Sequence, residues 1–155
     1  MYVFDNSPLS ALFRNYYRNL FPTLWSNFDQ LVQDGLISST REAHREIKIS
    51  RDSNLLTWAD ANKSIFTVPI AGEALIVADI FKVAHFQQNI ENQKILNGGL
   101  NADPFVVAKA AFEHKTVVTM ELFKPNGTKI PNICEHLKVK CLTLQEFMLE
   151  QGWRF

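Results

Sequence analysis

The chain has 155 residues, 46% of them apolar, which suits one domain able to bury a sizeable core without metal or disulfide staples. Its 16 basic and 16 acidic residues cancel to a formal charge of zero, excluding a whole-molecule field that would draw in nucleic acid indiscriminately. Only Cys134 and Cys141 are present, so a disulfide-stapled secreted domain is excluded and a reducing cytoplasm is the expected compartment.

The start, MYVFDNS, lacks the basic opening and long apolar run of a signal peptide. No stretch approaches the roughly 20 apolar residues that cross a bilayer, so no membrane association is expected. There is no repeat, low-complexity tract or Pro/Gly/Ser-rich linker, and residues 1–155 are expected to form a single domain.

Tyr2 to Phe4 form an apolar run that ends at Asp5, the pattern of a buried parallel strand delivering an acid at its C-terminal end. A helix is expected over about Pro8 to Leu20, with Leu9, Leu12, Phe13, Tyr16 and Leu20 on one face and Arg14 and Arg18 projecting elsewhere. Pro22 opens a second helix with Leu24, Trp25, Phe28, Leu31 and Val32 inward, and Gly35 closes it. Leu36 to Ser38 read as a second strand, and Ser39 or Thr40 caps a helix carrying Arg41, Glu42, Arg45 and Glu46.

From Asp52 to Lys94 the pattern is mostly helical, interrupted near Pro69 and resuming over Glu73 to Phe86. Asn97, Gly98 and Gly99 predict a turn, and Asp103 before Pro104 predicts a helix start with an acidic N-cap, running to about His114. Thr116 to Thr119 read as a strand leading to Glu121, Pro125 to Gly127 as a turn, Leu137 to Cys141 as a last strand, and Thr143 as the cap of a last helix. Strands alternating with helices predict an α/β fold, a three-layer α/β/α sandwich on a mainly parallel central sheet.

Ligand sites in such sheets lie outside the carboxyl ends of the strands. Asp5 and Glu121 fall there, Asp103 stands at a helix N-terminus, and Glu46 lies in the helix after the second strand, with Glu42 competing for that position. Clustered carboxylates repel one another and are costly to bury unpaired, and a hard divalent cation offsets both effects. Oxygen-only ligands suit Mg2+ or Mn2+, and the chemistry indicated is phosphodiester hydrolysis.

The segments YVFDNS, STREAHREI, NADPFVVAKA and KTVVTME resemble, in order and spacing, the four acidic motifs of PIN-domain ribonucleases. The resemblance spans nearly the whole chain and is closest to a PIN-like, VapC-type toxin branch whose members share KIPN and a C-terminal GW. It implies a PIN-like fold and endoribonuclease action, often as the toxin of a bacterial toxin–antitoxin pair. It selects Asp5, Glu46, Asp103 and Glu121 as catalytic metal ligands, with Ser7 beside the first acid and Thr119 orienting the site. Two positions depart from the pattern: the fourth acid is Glu121 where Asp is usual, and Asn6 stands where Thr or Ser is usual.

Partners expected on this basis are an RNA substrate and a cognate antitoxin, with a homodimer also possible through the aromatic helical hairpin. Arg14, Arg18, Arg41, Arg45 and Lys109 are weaker candidates for phosphate contacts, against a solvated face as the commoner role. Tyr16, Tyr17, Phe21 and Trp25 suit base stacking but fit a core at their helical spacing. Cys134, Glu135, His136 and Cys141 match no paired-cysteine zinc pattern, so neither zinc nor a Cys–His nucleophile is expected. The alternatives are a catalytically inactive PIN-fold interaction module and, less favoured for want of a lysine after a later strand, a phosphoryl-accepting α/β domain.

Overall fold

Tyr2, Val3 and Phe4 are all buried, and the sheet explains why: they form β1 (Tyr2–Phe4), its middle strand. In the computed structural model, which describes residues 1–96 and 98–155, β1 pairs on one side with β2 (Ile37–Thr40) and on the other with β4 (Thr116–Thr119). The edges are β3 (Phe66–Thr67) beside β2 and β5 (Cys141–Thr143) beside β4. Every pairing is parallel, and the order is β3-β2-β1-β4-β5.

Period-2 alternation splits the strand side chains between two cores. Tyr2, Phe4 and Val118 face a layer built on α1 (Asn6–Asn15), α2 (Pro22–Gln33), α4 (Ser53–Ala61) and α9 (Leu144–Glu150). Val3 and Val117 face α5 (Ala71–Lys82), α6 (Ala84–Leu96), α7 (Asp103–Glu113) and α8 (Ile130–Leu137). Between the layers α3 (Arg41–Ile49) sends Ile47 to the first core and Ala43 to the second. The result is the expected three-layer α/β/α sandwich. No described helix is long and apolar enough to cross a membrane.

Several boundaries differ from the sequence expectation. α1 ends at Asn15 rather than near Leu20, because Trp25 Nε1 donates to the Tyr16 carbonyl at 2.6 Å and folds the next residues into a turn before Pro22. Leu20 is therefore 67% exposed, and Arg14 and Arg18 do not share a helix. Trp25 and Phe28 are core residues, as their inward spacing predicts. Gly35, at φ +69, does close α2 as expected.

The second strand extends to Thr40, whose hydroxyl then caps α3 by accepting from Ala43 N at 3.2 Å. The two-residue strand β3 interrupts the stretch read as helical. Asn97 of the expected turn lies outside the described residues; Gly98 and Gly99 have positive φ. Leu137 belongs to α8, a helix the sequence reading missed, and the last strand begins only at Cys141, because Lys138 at φ 56 turns the chain out of the helix.

Thr143 caps α9 as expected, in a capping box where its hydroxyl accepts from Glu146 N and Glu146 accepts from Thr143 N at 2.7 Å. Thr143→Ala is expected to cost about 1 kcal/mol. Thermal unfolding checks this, as a fall of roughly 2–4 °C for a domain of this size.

Candidate functional site

Strand order reverses at β1, whose neighbours β2 and β4 carry the chain to opposite halves of the sheet, and the cleft this creates lies at the strands' C-terminal ends. Asp5 follows β1 directly and is 4% exposed. Its amide donates to the Val118 carbonyl at 3.0 Å, tying the end of β1 to β4. Its Oδ2 caps α1, accepting from Ser7 Oγ at 2.5 Å and Ser7 N at 3.4 Å, and it also accepts from Thr119 Oγ1 at 3.3 Å.

Thr119 ends β4 fully buried and accepts from Glu121 N at 3.2 Å, while Ser7 Oγ accepts from Met120 N at 3.1 Å. Two hydroxyls thus hold one oxygen of Asp5 and pin the chain that leads to Glu121. The helix α3 carries Glu46 towards the same cleft, where Oε1 accepts from Ala102 N at 2.8 Å and Oε2 from the Asn6 amide. Glu46 therefore clips the entrance of α7 to the entrance of α1. Glu42, its competitor in the sequence, is buried and ion-paired to Arg41 instead.

Asp103 is the first residue of α7 and not its cap. Ala102 occupies the cap position, and Asn101 Oδ1 accepts from Asp103 N at 3.0 Å. Freed from capping, the Asp103 carboxylate lines the cleft, and no donor among the described residues hydrogen-bonds to it. Glu121 Oε2 accepts from Ile130 N at 2.9 Å, the first residue of α8, and Oε1 pairs with Lys129 at 3.3 Å.

The structure thus brings Asp5, Glu46, Asp103 and Glu121 around one pocket of about 580 Å³, together with Asn6, Ser7 and Lys129. Ile49 and Leu96 rim it. Burial raises the carboxyl of Asp5, with Glu121 adding to the rise and hydrogen bonds from Ser7 opposing it. Glu46 is pushed up to about 7, first by burial and then by the Asp5 and Glu121 charges, against the Ala102 amide. Asp103 lies well above the carboxylate range through burial and the charges of Asp5, Glu121 and Glu46, and Lys129 is the opposing cation.

Among the described residues, no three His, Cys, Asp or Glu side chains form a ready-made metal-ligating group. The donor set nevertheless fits a hard divalent cation: it is all oxygen, burial and neighbouring acids raise Asp5, Glu46 and Asp103, and no described residue donates a hydrogen bond to the Asp103 carboxylate. A metal would be held by Asp5 and Asp103, with Glu46 and Glu121 exchanging protein partners for it.

The weaker candidates fare unequally. Arg14 is exposed and lines a shallow pocket on the other flank of Asn6 and Ser7. Arg18 pairs with Asp29 at 2.8 Å, and both Arg41 and Arg45 lie against Glu42. Lys109 is a correction: it is 2% exposed, with Glu73 at 3.6 Å and Glu113 at 2.7 Å, and serves a buried ion cluster with no surface for phosphate. Cys134 and Cys141 are free thiols, and the Cys141 contact, with burial, pushes the Cys134 thiol up, away from the reactive thiolate.

Sequence reasoning missed Lys129, Asn6 and Asn101 as parts of the site. The helix after Lys129 would have located it, since Ile130, Ile133, Cys134 and Leu137 recur at helical spacing. No local signal marks the contact of Asn6 with a glutamate 40 residues away.

Comparisons with curated proteins and with solved structures return no match. A family described as a domain of unknown function (DUF4411) matches residues 2–155, and the chain belongs to that family.

Proposed function

We propose that this chain is a magnesium- or manganese-dependent endoribonuclease that hydrolyses RNA phosphodiester bonds. The observation that carries the reading is Asp103: a half-buried carboxylate with no hydrogen-bond donor among the described residues, facing three other carboxylates across one pocket. A bound divalent ion supplies charge to offset the charge building on a scissile phosphate and acidifies the attacking water. In that reaction Ser7 and Thr119 keep Asp5 in one orientation, Asn6 and the Ala102 amide do the same for Glu46, and Lys129 steadies Glu121.

The four motif segments extend the reading to the toxin of a bacterial toxin–antitoxin pair, acting in the cytoplasm and restrained by an antitoxin protein, with a homodimer as a further expectation. An inactive interaction module is the second reading, and one observation favours it: both oxygens of Glu46 and both of Glu121 already have protein partners. In that case the acids serve as helix clips only.

Calorimetric titration of Mn2+ into the full chain separates the two. Saturable binding that weakens about tenfold or more in Asp5→Asn is expected for the nuclease. Absence of binding by the wild type supports the inactive module.

A further inference from the structure

A groove of about 400 Å³ adjoins the carboxylate pocket along α1, and Asn6 and Ser7 line both. The two cavities therefore meet at the first turn of that helix. Beyond the shared wall the groove is lined by Ser10, Ala11 and Arg14 of α1 and by Met120, the residue after β4. Met120 N donates to Ser7 Oγ at 3.1 Å, so the hydroxyl that holds Asp5 also fixes the facing wall of the groove.

Arg14 stands seven residues on from Ser7, two turns along one face of α1 or roughly 10 Å, with Ser10 and Ala11 between them. Helical side chains lean towards the helix N-terminus, so Arg14 leans back over that stretch towards the acids. Unlike Arg18, Arg41 and Arg45, it has neither an ion pair nor a hydrogen bond among the described residues. Its place in the last turn of α1 offsets the helix dipole, but that role occupies none of its N–H donors.

A strand whose scissile phosphate lies among the four acids brings its neighbouring phosphates past the same negative charge. The neutral chain supplies no general attraction to offset this, so each such phosphate needs a local cation. A guanidinium fork with unspent donors, in an open groove continuous with the acids, has the shape and charge for one phosphate.

We propose that the α1 groove binds a backbone phosphate neighbouring the scissile one, with Arg14 as its ligand and the Ser10 hydroxyl as a second donor, an inference that rests on the ribonuclease reading for the identity of the strand. The substrate then carries consecutive phosphodiesters, and this contact brings no base preference, because phosphate oxygens are the same at every nucleotide.

The test is fluorescence anisotropy of a short labelled oligouridylate, titrated in Mn2+ over a range of salt with the full chain carrying Asp103→Asn to silence cleavage. Adding Arg14→Gln at this exposed position weakens binding about tenfold at low salt. It also flattens the dependence of log affinity on log salt by roughly 0.7, the share of one phosphate contact on a single strand. Oligoadenylate shows the same loss. Lys82→Gln, which removes an exposed cation from α5 in the other layer, leaves the slope unchanged. A helix-dipole role alone would lower stability and leave the slope where it was. Unchanged affinity and slope in Arg14→Gln, a loss matched by Lys82→Gln, or no RNA binding by any form overturns the phosphate subsite. Cleavage by the wild type with binding indifferent to Arg14 overturns the subsite alone, and Arg14-dependent binding by a chain that cleaves no RNA overturns the nuclease reading alone.

Discussion

Asp103→Asn is expected to abolish RNA cleavage and at the same time to make the metal-free protein harder to unfold. The two effects share one cause. The carboxylate is half-buried, faces Asp5, Glu46 and Glu121, and receives no hydrogen bond among the described residues, while Lys129 is the cation that opposes the cluster. Asparagine keeps the shape and removes the charge, relieving a penalty on the order of 1–3 kcal/mol. Thermal unfolding near neutral pH without metal should therefore rise by several degrees, at roughly 2–4 °C per kcal/mol. Cleavage should fall about 100-fold or more, since a charge-positioning ligand is lost. A residue kept only for folding would show the opposite pairing, with lower stability and no link to metal.

The metal-free site should also reverse the usual acid response of a carboxylate. Glu46 titrates at about 7 in the folded chain against an ordinary 4.5, so its protonated form is the one the fold prefers. The stability it contributes is fully present below about pH 4.5 and is lost as pH rises through about 7. At roughly 1.4 kcal/mol per pH unit the full span is about 3 kcal/mol, discounted to about 2 for partial exposure. Glu113 and Glu146 are held below the ordinary carboxylate value by Lys109 and Thr143 contacts respectively, and they act in the opposite direction. The effect is therefore read as the difference between wild type and Glu46→Gln. That difference should favour wild type most near pH 5 and shrink towards pH 8, and denaturant unfolding across that range checks it.

The parts of the fold legible in the sequence are those in which burial and chain geometry agree. Tyr2–Phe4 ending at Asp5 declares a buried strand, and Thr116–Thr119 declares its neighbour, so the switch point and two of its acids could be read directly. Asp103–Pro104 marks a helix start, but the helix begins one residue earlier than a capping Asp103 requires, with Ala102 at the cap and Asn101 accepting the Asp103 amide. The cap was misread by one residue, and that residue determines whether the carboxylate is committed to the helix or free in the cleft.

Contacts set by tertiary packing were not legible. The end of α1 depends on a Trp25 bond to Tyr16, and β3 is only two residues long. The pairing of Lys109 with Glu73 joins α5 to α7 and leaves no trace in local spacing, unlike its i,i+4 pairing with Glu113. The same holds for the clip between Glu46 and Ala102, which joins residues 56 apart.

Incubation of the purified chain with an unstructured synthetic RNA, in Mn2+ and in EDTA, beside Asp5→Asn and Asp103→Asn, is the most direct test of the site. Cleavage by the wild type in Mn2+, absent in EDTA and in both variants, is the expected result. Cleavage that persists in EDTA or in either variant, or an intact RNA with every protein, contradicts a metal-dependent nuclease built on these acids.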